Sequence, residues 1–128
     1  MNIKLRPADI KFSQIIRTRD GWRCVRCGTQ YYPPTRGLQN SHFWGRGREN
    51  TRFDFENCDA LCTACHQYWG GDGREEYIEF KKKQLGEEGY KNLKIRAFTY
   101  KKKDDKLVLL WLKQYEHDHQ NLQMRLQK

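Results

Sequence analysis

The apolar positions Ile10, Phe12, Ile15 and Ile16 recur near helical spacing after Pro7, and Asp20-Gly21 follows them as a stop, which predicts a helix over 8–19. Leu38 to Trp44 reads as a brief strand ending at Gly45, and Thr51 to Phe55 as a second short strand returning antiparallel to it. A helix is expected to begin between Asp59 and Thr63, to carry Cys65 and His66, and to finish at Gly70-Gly71. Beyond it, Arg74–Leu85 and Glu87–Phe98 read as two helices parted by Gly86, with Tyr77, Ile78, Phe80 and Leu85 facing the core. A last helix over 105–127 places Leu107, Leu110, Trp111, Tyr115, Leu122 and Leu126 mostly on one stripe, which needs either the body of the protein or a second copy as cover. Short strands among helices predict an α+β fold.

A length of 128 residues with 37% apolar and 32% charged positions implies one compact domain with a thin core, extended by a helical tail. We place the body at 1–98 and the C-terminal extension at 99–128. A metal cross-link is a common remedy for so small a core. The formal charge of +9 favours a polyanionic partner through counterion release, with nucleic acid the first candidate. No apolar run approaches a membrane span and the start of the chain lacks a signal-peptide core, so no membrane partner and a cytoplasmic location are expected. Thiols stay reduced there, so the cysteines point to metal, and Cys58 is left over as a small buried apolar residue. The basic triplet Lys81–Lys83 reads as a solvated helix face or a phosphate-contacting stripe, and Lys101–Lys103 as part of a linker.

Cys24-x-x-Cys27 and Cys62-x-x-Cys65 are the strongest motif in the chain. Each turn offers two thiolates at zinc-binding separation while its backbone N–H groups face the sulfurs, and two turns complete a tetrahedron. Such a zinc has no open position and serves as scaffold. Between and just after the pairs lie His42, Asn57 and His66.

The stretch 12–28 followed by His42, Asn57 and Cys62-x-x-Cys65-His66 resembles the HNH nucleases of the ββα-metal type with a zinc-bound knuckle. More narrowly, Asn40-Ser41-His42-Phe43, Leu61-Cys62-Thr63-Ala64-Cys65 and Arg52-Phe53-Asp54-x-x-Asn57 are similar to the NinG-type recombination proteins of bacteriophages. The likeness covers roughly 12–93. It implies a hairpin crossed by a helix, a metal-dependent endonuclease acting on DNA, and a bacterial host cell as setting.

In that reading His42 is the general base that takes a proton from water, His66 binds a catalytic divalent ion such as magnesium or manganese, and Asn57 either holds the His42 loop or touches the metal. The chain departs from many such nucleases in having Ser41, a poor ligand, directly before the base, so Asp54, Asn40 or a phosphate oxygen is left to complete the metal sphere. Arg46, Arg48 and Arg52 flank the hairpin loop as candidate phosphate contacts. Trp44, Phe53 and Phe55 read as packing residues, with Trp44 at the strand end also placed to lie against an unpaired base, and His117 and His119 read as solvated. The alternative from another class is a non-catalytic zinc module that binds nucleic acid. A further possibility is a homodimer or adaptor assembled through the C-terminal helix.

Overall fold

The computed structural model describes residues 4–126, with side chains described through residue 119. The elements run α1 (Pro7–Arg19), β1 (Leu38–His42), β2 (Cys58–Cys62), α2 (Thr63–Gly70), α3 (Arg74–Ala97) and α4 (Asp105–Leu126), with short 3-10 turns at Glu49–Thr51 and Phe55–Asn57 before β2. This is the expected α+β architecture, a two-stranded sheet flanked by helices with the cysteine cluster at the β2–α2 junction, in a ββα-metal-like arrangement.

Helix α1 begins with Pro7, and the Arg6 backbone N–H donates to the Asp9 carboxylate at 2.7 Å, which closes the first turn. Its buried side chains Ala8, Phe12, Ile15 and Ile16 meet Phe53, Cys58 and Leu112 in one apolar cluster. A second cluster gathers Leu38, Phe43, Ala60, Leu61, Trp69, Tyr77 and Leu93. Gly86, at φ 76° and ψ 165°, breaks α3 into two helical segments where the sequence placed the break. Helix α4 lies on α1 through Leu112, Val108, Leu109 and Tyr115, while Leu107, Leu110 and Trp111 stay exposed. The Leu122 and Leu126 side chains and Gln127 lie outside what is described.

The return strand corrects the sequence reading. It is Cys58–Cys62, paired antiparallel with β1 from His42↔Cys58 to Leu38↔Cys62, and not 51–55. All five of its residues are buried, so the alternation that marks a half-exposed strand is missing, and Asp59, taken as a helix start, is a buried strand residue. Residues 51–55 instead turn tightly, because Asp54 Oδ1 accepts the Glu56 N–H at 3.0 Å and the Arg52 side chain is drawn inward.

Two buried ion pairs hold this frame. Arg52, 1% exposed, donates through Nε and Nη2 to the two Asp9 carboxylate oxygens at 3.0 and 2.6 Å. Lys81 reaches Asp59 at 2.8 Å, and Tyr77 and Gln84 donate to the same carboxylate at 2.9 and 3.1 Å. Lys81 is thus neither on a solvated face nor in a phosphate stripe. Burial pushes the Asp9 carboxyl up, but the Arg52 hydrogen bonds and the Arg6 N–H outweigh it and hold Asp9 below its ordinary value. Arg52→Met leaves Asp9 buried without its cation, and urea unfolding is expected to show a loss of about 3–5 kcal/mol; a loss under ~1 kcal/mol would show that Asp9 finds other support.

Candidate metal centre and adjacent cleft

The sulfurs of Cys24, Cys27, Cys62 and Cys65 all lie within 4.8 Å of one another, and the Cys27–Cys62 pair is 3.8 Å apart. A tetrahedron with Zn–S near 2.3 Å has edges of about 3.8 Å, so the set fits zinc with thiolate ligands. The first pair sits in a turn closed by Gly28 N–H to the Cys24 carbonyl at 2.8 Å, with Gly28 at φ 78°. Val25 N–H donates to the Ala60 carbonyl at 2.9 Å and docks that turn on β2. The second pair straddles the start of α2, where Cys62 Sγ accepts the Cys65 N–H and caps the helix.

The surroundings pull two of these sulfurs, those of Cys27 and Cys65, in opposite directions. The Thr29 hydroxyl and backbone hydrogen bonds draw the Cys27 thiol down to about 6, whereas burial pushes Cys65 up to about 12 against the opposing pull of the Arg26 guanidinium, which lies 3.3 Å from its sulfur. A bound dication deprotonates both thiols. Cys58 lies apart from the cluster, fully buried with its thiol raised well above the ordinary value by burial.

His42 ends β1, and its Nε2 lies 2.9 Å from the Arg52 carbonyl. A carbonyl only accepts, so Nε2 carries the proton and Nδ1 is left as the basic nitrogen. Burial, then the Arg46 charge, lower the His42 pKa to about 4, which keeps the ring neutral at physiological pH but makes it a weak base. Asn57 is fully buried and spans the loop beyond His42. Its Oδ1 accepts the Trp44 N–H at 2.8 Å, and its Nδ2 donates to the Trp44 and Thr51 carbonyls at 2.8 and 3.0 Å. Of the two roles open to it, the geometry shows the loop-holding one.

His66 follows Cys65 on α2 and lines a cleft of about 330 Å³ between α1, β1 and α2. The other lining residues are Ser13, Arg17, Thr35, Arg36, Leu38, Gln39, Asn40 and Arg46, with no carboxylate among them. Burial and then Arg46 lower the His66 pKa as well. Among the described residues no cluster of three or more His, Cys, Asp or Glu ligands forms beyond the four cysteines, so no second metal centre built that way accompanies them. Asp54 is taken by Arg96 at 2.8 Å, and Ser41 sits beside the Tyr77 hydroxyl at 3.3 Å. The donors around His66 do not suit a divalent cation.

Of the candidate arginines, Arg46 lies beside the cleft and among the described residues has no ion-pair partner. Arg48 is exposed, with its guanidinium 3.9 Å from the Phe98 ring centroid. Arg52 is a correction, since its guanidinium is consumed in the core by Asp9. Trp44 and Phe55 pack on aromatic neighbours as expected. Sequence reading missed Arg17 and Arg36, which reach the cleft from α1 and from the loop before β1 and carry no motif of their own.

The site is thus a cluster of four cysteines able to chelate a metal, set in an α+β domain. Comparison with known proteins adds no family to that description: no protein-family model, curated protein or solved structure matches the chain.

Two outcomes follow. Purified protein is expected to carry one zinc per chain by elemental analysis, and its removal by a chelator, at a cost of even ~3 kcal/mol, lowers the melting temperature by roughly 10 °C. His42 has a folded pKa of about 4 against an ordinary 6.5. The unfolded chain therefore binds the extra proton first, and stability present above pH 6.5 is lost as pH falls toward 4, by about 3 kcal/mol in all. NMR titration of the His42 ring reads this directly, and Arg46→Gln should raise its midpoint.

Proposed function

We propose that the chain is a zinc-stapled nucleic-acid-binding module that meets the sugar-phosphate backbone of DNA on the arginine-bearing side of its ββα unit. The observation that carries this reading is Arg46, which has no ion pair among the described residues and whose charge reaches both His42 and His66, in a protein with a net charge of +9. Although its charge also reaches the buried Asp9, a cation with no ion pair among the described residues, set beside a hairpin, suits a phosphodiester and repels a metal ion. Backbone contacts of this kind position a protein without reading sequence. Among the described residues no helix is long and apolar enough to cross a membrane.

A second reading is favoured by one specific arrangement. His42 at the end of β1, Asn57 locking the loop behind it and His66 on α2 stand in the order of an HNH endonuclease, and His42 Nδ1 is left to accept a proton from water. In that reading the chain hydrolyses DNA phosphodiesters with magnesium or manganese, in phage recombination within a bacterial cytoplasm, on branched DNA. The exposed Leu107, Leu110 and Trp111 on α4 offer a face for self-association in either case.

Fluorescence anisotropy with labelled DNA tests the first reading: affinity should fall steeply with salt, and Arg46→Gln should flatten the slope of log K against log salt by about one. Salt-independent binding, or none, would remove it. Nicking of supercoiled plasmid by wild type with magnesium or manganese, lost in His42→Ala, would put the nuclease reading in its place.

A further inference from the structure

Asn40 is the anomaly of the cleft. It is 7% exposed, and neither its Oδ1 nor its Nδ2 has a hydrogen-bond partner among the described residues. A buried primary amide left so is costly, and native proteins keep such groups where a ligand or water completes them. Arg46 beside it shows the same sign, a buried Nε–H without an acceptor. Both groups therefore present unmet donors at one cleft.

The charges around them define what would satisfy those donors. Arg46, Arg36 and Arg17 line the cleft, no carboxylate does, and Ser13, Thr35 and Gln39 are the remaining polar residues besides His66. Arg36 is exposed and forms no ion pair among the described residues, so its charge is available at the mouth. Arg17 is committed to the backbone, with Nε donating to the Ser13 carbonyl at 3.2 Å and Nη1 to the Leu38 carbonyl at 3.4 Å, and contributes its charge from a fixed place. Such a set selects an anion rich in acceptor oxygens. A phosphodiester, with one charge and a sugar on either side, lies along a surface. A terminal phosphate brings three free oxygens and up to two charges, and can point toward a recessed amide.

We infer that the cleft between α1, β1 and α2 is a binding site for a terminal phosphate group, gripped by Asn40, Arg46 and Arg36 without a metal ion. Resting on the binding reading above, the occupant is the phosphorylated end of a nucleic-acid strand, so the module distinguishes strand ends from continuous backbone.

The test compares otherwise identical single-stranded oligonucleotides carrying a 5′-phosphate, a 3′-phosphate or neither, by anisotropy on the zinc-loaded full chain. One of the phosphorylated strands should bind about ten-fold more tightly than the unphosphorylated one, the worth of one or two charge-assisted hydrogen bonds. Asn40→Asp and the exposed Arg36→Gln should each erase most of that preference; the second variant guards against misfolding of the first. Inorganic phosphate should also shift the Asn40 side-chain amide signals in wild-type NMR spectra. DNA binding that ignores terminal phosphates and both substitutions would overturn this inference and leave the binding reading standing. Loss of all DNA binding, with the amide shift by inorganic phosphate retained, would keep the phosphate site and remove the nucleic-acid reading.

Discussion

Four cysteine sulfurs lie within 4.8 Å of one another, a spacing that as thiolates they would hold only around a cation, and much of the molecule is arranged around that cluster. The first pair belongs to a loop whose Trp22, Val25 and Tyr31 pack on the core, and the second opens α2. Clamping them fixes the loop against β2, where Val25 N–H meets the Ala60 carbonyl. It would also fix the start of α2, since Cys62 belongs to the cluster and is the helix cap. One turn of helix then places His66 at the cleft. A two-stranded sheet this short is marginal alone, and here its far end is tied by the knuckle while its near end is tied by Asn57.

The loop between the strands is held by polar groups that the chain has withdrawn from water. Asn57 stands in for a strand, pairing both backbone groups of Trp44 as a neighbouring peptide would. Arg52 crosses to Asp9, and Lys81 donates to the Glu56 carbonyl at 2.7 Å while paired with Asp59. Losing either partner of such a pair strands a charge, so these contacts specify where the loop goes more than they add to stability. His42 inherits its orientation from this framework, because the carbonyl that holds its ring belongs to Arg52 itself.

That explains what was legible in the sequence. Periodicity found α1, α3 and α4, and glycine marked the break at Gly86. Spacing found the knuckle, and the strand of His42 and the helix of His66 were found with it, but Asn57, expected after the return strand, lies in the turn that precedes it. It failed between 51 and 62, where β2 is buried on both faces and carries a charged residue, Asp59, whose partner Lys81 lies on another helix. Local pattern holds no trace of a pairing between distant residues, so Arg52 and Lys81 both looked like surface charge. Asn40 was legible only as a spare ligand; its unmet amide is a property of its surroundings.

The same accounting separates the two chemistries open to the hairpin. A catalytic dication needs oxygen ligands or a cluster of imidazoles, and the carboxylates nearest in sequence are already spent, Asp54 on Arg96 and Asp59 on Lys81. What remains at His66 is a neutral ring facing Arg46, with Asn40 and two further arginines around it. Adding a positive ion there raises the local charge, whereas adding a phosphate lowers it and answers the two buried donors at once. A phosphate-bearing ligand brings its own oxygens and changes this balance, so any metal at this site would have to arrive with such a ligand and not before it.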